Sequence, residues 1–146
     1  MGRALLDINV LIALLDQSHL LHRPATRWLE GQLAHGWATC PITENGVVRI
    51  MAQPGYPNTQ PTALVAARLA EACSHSSHAF WPAPISLLQE GLIRWDRLLG
   101  PRQITDAYLL ALAASQGGCF ASFDQRITLN AVPSANTHHL CLIPCA

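Results

Sequence analysis

The amino-acid sequence predicts an α/β protein, a three-layer α/β/α sandwich in which helices cover both faces of a mainly parallel sheet. Short apolar segments alternate with longer segments of helical periodicity along the chain, and this alternation is typical of parallel sheets. The length of 146 residues suits one domain with a sizeable core. No linker, low-complexity tract or internal repeat divides the chain, so we expect a single domain over residues 1–146.

The first half of the chain predicts two strands and four helices. RALLD and WATCP are short and mainly apolar, which indicates buried strands at 3–7 and 37–41. In HRPATRWLEGQLAHG, a proline near the start and a glycine at the end are typical helix boundaries. The segment PGYPN, at 54–58, ends the third helix. The four predicted helices cover 9–16, 22–36, 43–53 and 61–75.

The second half predicts an edge strand, several helices and two further strands. AFWPAP, at 79–84, is expected at a sheet edge because its two prolines cannot donate ladder hydrogen bonds. SLLQEGLIRWDRLLG, at 86–100, predicts one or two short helices. TDAYLLALAASQGG, at 105–118, is the clearest helix and ends in two glycines. CFASFD and HHLCLIP predict the last strands, at 119–124 and 138–144.

The composition limits the classes of function that the chain supports. Nine basic and nine acidic residues give a formal net charge of zero, so the total charge does not indicate a strongly basic nucleic-acid binder. All nine basic residues are arginines, which excludes any mechanism that requires lysine. The five cysteines form no CxxC pair, as is typical of free thiols in a reducing compartment. No signal-peptide pattern and no apolar run near the ~20 residues that span a bilayer is present, so we expect a cytoplasmic protein without a membrane partner.

Four of the nine acidic residues lie where a predicted strand ends or a predicted helix begins: Asp7, Glu44, Asp106 and Asp124. For the first three, the residues at i+3, i+4 and i+7 are apolar. These offsets share one face of a helix, so each carboxylate begins a face that packs on the sheet. Ligands bind outside the carboxyl ends of the strands in open α/β sheets, and we expect the four acids to gather there.

Ordinary helix starts explain the same residues without any chemistry. Thr43 and Thr105 precede Glu44 and Asp106, and threonine is a fair N-cap while an acid in the first turn suits the helix dipole. Asn9 can likewise cap the first helix. This explanation weakens when four such acids occur in one small domain.

A cluster of four carboxylates needs either raised pKa values or a cation, because like charges a few ångströms apart repel each other. Carboxylate oxygens without nearby histidine or cysteine favour Mg²⁺ or Mn²⁺ over Zn²⁺. Such an ion lowers the pKa of bound water and neutralises charge at a reacting phosphate. The four acids therefore predict hydrolysis at phosphate.

The motifs LLDINVLIALL, ITENGVVRI, ITDAYLLALA and FASFD resemble, in order and spacing, those of PIN-domain nucleases, most closely the VapC-type toxins of bacterial toxin–antitoxin pairs. The resemblance covers nearly the whole chain. It implies a metal-dependent endoribonuclease that cuts single-stranded RNA and acts as a toxin. It also implies an acidic quartet of Asp7, Glu44, Asp106 and Asp124, with Asn9 at the polar position after the first acid and Ser122 near the one before the last.

These residues are expected to divide the work of hydrolysis. Asp7, Asp106 and Asp124 hold a Mg²⁺ or Mn²⁺ ion. Glu44 faces that ion or its water, and Asn9 positions Asp7 or a water by a hydrogen bond. The resemblance further implies a homodimer and a cognate antitoxin protein as partner. Candidates for phosphate contacts flank the acidic motifs and are Arg49, Arg102 and Arg126, with Arg94 and Arg97.

Other hypotheses fit parts of the sequence. A haloacid-dehalogenase-like phosphatase or a phospho-acceptor receiver also has an Asp after the first strand, but Asn9 stands at the second acid of the phosphatase motif and the chain has no lysine. A non-catalytic RNA- or protein-binding scaffold would use the acids only as helix caps and bind no metal. Zinc at His138, His139, Cys141 and Cys145 is disfavoured, because their spacing matches no common site.

Overall fold

A computed structural model describes residues 2–146 of the chain. The strands in this range are β1 Ala4–Leu6, β2 Trp37–Thr39, β3 His78–Phe80, β4 Cys119–Ser122 and β5 Leu140–Leu142. The α-helices are α1 Ile8–Leu15, α2 His22–Gln32, α3 Pro41–Met51, α4 Thr62–Cys73 and α5 Gln103–Ser115. The strands form one sheet in the order β3-β2-β1-β4-β5, and every pairing is parallel.

Helices lie on both faces of the sheet, which confirms the predicted three-layer α/β class. Side chains alternate along each strand, so neighbouring residues belong to different cores. Leu6 and Ala121 pack with residues of α1 to α4 on one face. Leu5 and Phe120 pack on the other face with α5 and with the loops around residues 81–93 and 131–132.

The apolar helix faces that begin at Asp7, Glu44 and Asp106 are buried, as predicted. Their least exposed members, each with 3% or less of its surface exposed, are Val10, Leu11, Val47, Met51, Leu109, Leu110 and Ala113. Burial of apolar surface contributes about 25 cal/mol per Å² to stability. The same packing that stabilises the fold therefore holds the three carboxylates at one end of their helices.

The predicted N-caps Thr43 and Thr105 are wrong, because α3 and α5 each begin two residues earlier than expected. Pro41 is the first residue of α3, a position that suits its fixed φ and missing N–H. The Thr43 hydroxyl accepts a hydrogen bond from the Cys40 amide at 2.9 Å, from inside the first turn. Asp106 and Glu44 nevertheless stay in the first turns of their helices.

The predicted helices over 86–100 are also wrong. This segment forms turns and one 3₁₀ turn at Trp95–Arg97. Gly91 has a φ of +81°, which is incompatible with a continuing α-helix. Leu92 and Ile93 are consecutive rather than spaced by a helical turn, and both are buried. The segment therefore covers its side of the sheet as a loop.

Other predicted elements occur with shorter boundaries. The helix predicted over 22–36 ends at Gln32, and the last strand begins at Leu140 after a 3₁₀ turn at Thr137–His139. The edge position predicted for 79–84 is confirmed, although the strand itself is only His78–Phe80. Between residues 2 and 146, no helix is both long enough and apolar enough to cross a membrane.

The two edge strands share a feature. Each has three residues, and a proline stands two positions beyond its last residue, at Pro82 after β3 and at Pro144 after β5. Ala83, between Pro82 and Pro84, has a φ of +58° and turns the chain away from the sheet direction.

Helices α1 and α3 pack closely beside the end of β1. A Cβ atom at Gly46 would overlap the side chain of Ile8, so only glycine allows this approach. Ile8 directly follows Asp7, and Gly46 lies two residues after Glu44. The close contact therefore fixes the first turn of α3 against the start of α1.

Candidate active site

The carboxyl ends of the central strands β1 and β4 bring the first candidates together. Leu6 pairs with Ala121, and the Asp7 amide donates a hydrogen bond to the Ala121 carbonyl at 2.9 Å. Parallel strands end at the same edge of a sheet, so Asp7 lies beside the segment that begins at Ser122. The sheet register itself thus assembles this part of the site.

Asp7 is a buried carboxylate without a cationic partner. It is 6% exposed and caps α1 by accepting a hydrogen bond from the Ile8 amide at 2.7 Å. Burial raises the pKa of Asp7, and the charge of Asp124 adds to this, while hydrogen bonds from Ser122 and Ile8 act in the opposite direction. Within residues 2–146, no arginine or histidine forms an ion pair with Asp7. The buried charge is therefore supported by hydrogen bonds alone.

Ser122 links two of the acids. Its hydroxyl donates to Asp7 Oδ2 at 2.6 Å and accepts from the Asp124 amide at 3.0 Å. Ser122 is fully buried at the end of β4. Its side chain therefore sets the relative position of Asp7 and of the turn that carries Asp124.

Asp106 approaches the same group from α5. Burial raises the pKa of Asp106 to about 7, with further increases from the charges of Asp7 and Asp124 and a decrease from Arg126. Asp106 and Asp124 line a common groove, and the Ser122 hydroxyl connects Asp124 to Asp7 through hydrogen bonds. Sequence reasoning predicted this grouping of Asp7, Asp106 and Asp124, and the structure brings them together.

Asp124 is ionised and forms an ion pair with Arg126. Arg126 donates from Nε at 3.1 Å, from Nη2 at 3.2 Å and from its backbone amide at 2.9 Å. The side-chain hydrogen bond from Arg126 is the largest cause that lowers the pKa of Asp124. Arg126 is otherwise exposed to solvent, so it orients Asp124 without closing the site.

A groove of about 320 Å³ opens beside Asp106 and Asp124. Two of the predicted phosphate-binding arginines, Arg102 and Arg126, line it together with apolar residues that include Leu98, Leu99 and Ile127. Arg49 is exposed in the last turn of α3 and is not among the lining residues. The groove thus combines acidic and basic side chains at the end of the sheet.

Glu44 contacts a different set of residues. The Thr39 hydroxyl donates to Glu44 Oε2 at 2.7 Å. The Glu44 charge acts on Cys73 and His78: burial is the main cause that raises the pKa of Cys73 and lowers that of His78, and Glu44 raises both. Among the described residues, the contacts of Glu44 are thus with Thr39, Cys73 and His78, whereas Ser122 and the groove connect the three aspartates.

Asn9 does not make the predicted hydrogen bond to Asp7. The helix begins at Ile8, so Asn9 is its second residue and its side chain is exposed. In residues 2–146, the hydrogen bonds that position Asp7 come from Ile8 and Ser122 instead. Ser122 takes the orienting role that the sequence had suggested for Asn9.

The donor set at the three aspartates fits a hard divalent cation. All the ligand atoms that it offers are carboxylate and hydroxyl oxygens, the ligands that Mg²⁺ and Mn²⁺ prefer. Burial is the largest cause that raises the pKa of Asp7 and of Asp106, and the charges of the neighbouring aspartates raise both further. A cation between these oxygens would relieve both the burial cost and the mutual repulsion.

Comparison with known proteins identifies the class to which this geometry belongs. The sequence profile of the family described as PIN domain matches residues 4–133. This match covers most of the chain, so the chain belongs to the PIN-domain family, whose members generally use a divalent metal.

Similarity to curated relatives narrows the class further. Ribonuclease VapC44 of Mycobacterium tuberculosis is 48% identical over 141 residues, 97% of this chain and 99% of the relative. Ribonuclease VapC39 of the same organism is 42% identical over 122 residues, 83% of this chain and 88% of the relative. Ribonuclease VapC38 is 36% identical over 122 residues, 83% and 84% of the two chains. Within the PIN family, the chain is thus of the VapC ribonuclease type, which confirms the resemblance and the expected enzyme class.

The group of Glu44, Cys73 and His78 was missed by sequence reasoning. The three residues come from α3, α4 and β3, and no motif spacing connects them. Only the pairing of β2 with β3 and the packing of α3 on α4 bring them together. No pattern in the sequence signals this proximity.

Proposed function

We propose that residues 1–146 form one nuclease domain that hydrolyses single-stranded regions of RNA and acts as the toxin of a toxin–antitoxin pair. Asp7, Asp106 and Asp124 would hold the metal, Mg²⁺ or Mn²⁺. The observation that supports this proposal is the arrangement of the three carboxylates: the Ser122 hydroxyl is hydrogen-bonded to Asp7 and to the Asp124 amide, and Asp106 lines the same groove as Asp124. Burial is the largest cause that raises the pKa of Asp106 to about 7, and the charges of Asp7 and Asp124 raise it further. A site with this excess of negative charge suits a divalent cation and, through it, a phosphate.

The chain's own residues prepare the site for hydrolysis. A bound Mg²⁺ or Mn²⁺ supplies activation of water and neutralisation of charge at the phosphate. Ser122 and the Ile8 amide hold Asp7 in one orientation, and Arg126 does the same for Asp124. Asp106 is partly protonated at neutral pH without metal, because burial and the charges of Asp7 and Asp124 raise its pKa to about 7. It must lose that proton to act as a ligand.

Glu44 and Asn9 complete the proposed catalytic set, but we do not assign them as ligands of the Mg²⁺ or Mn²⁺ ion. Glu44 lies in the first turn of α3. It accepts a hydrogen bond from the hydroxyl of Thr39, which is on β2, the strand next to β1. In our proposal its carboxylate orients water, and the exposed Asn9 amide contacts the RNA. Both roles rest on the family motif; the hydrogen bond from Thr39 supports an orienting function for Glu44.

The groove beside the aspartates is the proposed path of the RNA backbone. Arg102 and Arg126 line it and can donate to phosphate oxygens. Arg49 would meet RNA only outside this groove. We further propose that the protein works in the cytoplasm, forms a homodimer, and is inhibited by a cognate antitoxin protein, as its VapC-type relationship suggests.

The first experiment is cleavage of total cellular RNA by the purified protein with Mg²⁺, Mn²⁺ or EDTA. The wild type should produce discrete cuts with either metal and none with EDTA. Asp7→Asn should abolish the cuts while still folding, because asparagine also caps a helix N-terminus. Sequencing of the new RNA ends would identify the target and the cut site.

Glu30→Gln provides the matched control, since Glu30 is an exposed acid on α2. It should cut RNA at the wild-type rate. Cleavage that persists in EDTA, or that Asp7→Asn leaves unchanged, would contradict the proposed metal site. If no RNA is cut, calorimetric titration with Mn²⁺ tests the cluster directly, and the absence of binding that depends on Asp7 would refute it.

A further inference from the structure

A second group of metal-binding side chains lies apart from the three aspartates. Glu44 comes from the first turn of α3, Cys73 is the last residue of α4, and His78 is the first residue of β3. One ligand atom of each residue lies within 4.8 Å of those of the other two. All three residues are half-buried, so an ion from solvent can reach them.

The hydroxyl of Thr39 stands at the centre of this group. Thr39 Oγ1 lies 2.7 Å from Glu44 Oε2, 2.8 Å from His78 Nε2 and 4.0 Å from Cys73 Sγ. A hydroxyl carries only one proton, which Thr39 donates to Glu44. With that proton committed, Thr39 Oγ1 can accept hydrogen bonds from His78 Nε2–H and from the Cys73 thiol, so an ion would replace these two protons at the nitrogen and the sulfur.

The chemistry of these donors differs from that of the aspartate cluster. A thiolate, an imidazole and a carboxylate together favour zinc and similar borderline-soft cations over Mg²⁺. Zinc–ligand bonds of roughly 2.0–2.3 Å place ligand atoms roughly 3.4–3.8 Å apart in a tetrahedral site. Closing from 4.8 Å requires side-chain shifts of about 1 Å, which χ rotations provide without backbone movement.

The surroundings hold the histidine in a defined orientation. The His78 ring packs on Trp37 with ring centroids 4.6 Å apart. This packing limits the orientations that the His78 ring can adopt.

We propose that Glu44, Cys73 and His78 form a binding site for Zn²⁺ or a similar borderline-soft divalent cation, with a fourth coordination position open to solvent. This site differs in its ligand atoms from the cation site of Asp7, Asp106 and Asp124, and Glu44, to which we assign the orientation of water, is a residue of both regions. Because it uses a thiolate and an imidazole, Mg²⁺ in excess should not displace the ion. A Zn²⁺ ion bound at this site would also coordinate the Glu44 carboxylate.

The test uses Co²⁺ as a spectroscopic substitute for Zn²⁺. Titration of the metal-free protein with Co²⁺ should produce a near-ultraviolet thiolate-to-cobalt charge-transfer band that saturates at one ion per chain and disappears when Zn²⁺ is added. Cys73→Ser should lack the band, and its Zn²⁺ affinity, measured against a chromophoric chelator, should fall at least about tenfold. His78→Gln should weaken Zn²⁺ binding to a similar extent.

Two controls locate the site. Cys141 is a half-buried cysteine outside the group, so Cys141→Ser should keep the cobalt band and the Zn²⁺ affinity. Asp106→Asn should keep them as well, because the aspartate cluster is a different site. A band that survives in Cys73→Ser, or that is lost in Cys141→Ser or Asp106→Asn, would overturn the proposal.

A measurement on the wild type covers the case in which Cys73→Ser does not fold. Zn²⁺ should slow alkylation of Cys73 at least about tenfold, as followed by mass spectrometry of its peptide, and leave alkylation of the exposed Cys145 unchanged. Equal alkylation of Cys73 with and without Zn²⁺ would show that the three side chains form only a hydrogen-bonded group.

Discussion

The two neighbouring strand pairs of this sheet present different ligand atoms. At the ends of β1 and β4, three aspartates and a serine offer only oxygen, and the buried Asp7 has no cationic partner within residues 2–146. Beside β2 and β3, Glu44 shares its surroundings with the thiol of Cys73 and the imidazole of His78. The first region suits a hard cation and the second a softer one.

This difference shows that acids with the same kind of position in the sequence can lie in different electrostatic environments. Glu44 belongs to the same sequence pattern as the three aspartates, yet the charges that raise the pKa of Asp106 after its burial come from Asp7 and Asp124. Glu44 acts on Cys73 and His78 instead. The position of a carboxylate in a motif therefore does not determine which groups its charge affects.

Asp106→Asn should have the largest effect on the aspartate region. This change removes one of three charges from the aspartate cluster, and we expect RNA cleavage to slow at least about 100-fold and Mn²⁺ binding to weaken at least about tenfold. Initial cleavage rates and calorimetry measure the two effects, with Glu30→Gln as control. A variant that keeps most of the wild-type rate would exclude the aspartate cluster as the active site.

Glu44→Gln sharpens the boundary between the two regions. We expect the cleavage rate to fall about tenfold while Mn²⁺ affinity changes less than about threefold, because in our proposal Glu44 orients water and is not a ligand of that metal. The same rate assay and calorimetric titration give both numbers. A loss of Mn²⁺ affinity equal to that of Asp106→Asn would show that Glu44 is a ligand at the same metal site as the three aspartates.

Ser122→Ala tests the connection inside the first region. The change removes hydrogen bonds to Asp7 and from Asp124. We expect Mn²⁺ affinity to fall about tenfold and the free energy of unfolding to fall by about 1–2 kcal/mol. Denaturant unfolding and Mn²⁺ titration measure these effects. Ser76→Ala, at an exposed position, is the control and should behave as wild type.

Much of this arrangement follows from the sequence, because periodicity sets the ends of the elements. Asp7, Asp106 and Asp124 each stand at a strand end or in a first helical turn, and the parallel order of the strands then brings such positions to one edge of the sheet. The buried helix faces behind Asp7 and Asp106 were predictable for the same reason. Parallel pairing and apolar spacing thus predict the edge of the sheet at which these residues lie, but they also place Glu44 with the aspartates.

The second region could not be predicted from the sequence. Its three residues depend on how far α3 and α4 approach each other and on the register that pairs Trp37 with His78. Neither quantity appears in the pattern of apolar residues. The family resemblance pointed to Ser122 as a polar position, but its hydrogen bond to Asp7, 115 residues away in the sequence, could not be predicted.

In the metal-free protein, the free energy of unfolding should depend on pH through Asp106. In the folded state, burial and then the charges of Asp7 and Asp124 raise the pKa of Asp106 from 3.8 to about 7. The stability that its protonated form contributes is therefore complete below about pH 4 and is lost as the pH rises to about 7.

Asp106→Asn removes this loss. Its Tm should exceed that of the wild type by about 2–4 °C at pH 8 and by less at pH 5, as scanning calorimetry would measure. Saturating Mn²⁺ should raise the Tm of the wild type at pH 8 and reverse the order. A wild type whose metal-free Tm does not fall between pH 5 and pH 8 relative to Asp106→Asn would mean that the three carboxylates do not interact.

The smallest effect is expected at the rim of the groove. Arg102→Gln should weaken binding of a single-stranded RNA about threefold in Mg²⁺-free buffer and reduce the slope of log Kd against log salt by about 1, since one phosphate contact is lost. Arg27→Gln, on the exposed face of α2, should leave the slope unchanged. Equal slopes for the wild type and Arg102→Gln would place the RNA backbone outside this groove.

The prolines that follow the edge strands have a consequence for assembly. An open sheet grows when a strand from another molecule hydrogen-bonds to its free edge, the route to swapped dimers and fibrils. Here each edge offers only three residues before Pro82 or Pro144 interrupts the row of donors. Edge-to-edge pairing of two copies is therefore disfavoured, and the proposed homodimer would form through the side chains of helices and loops. Such an interface can be separated by single surface substitutions, whereas a sheet shared between copies would resist them.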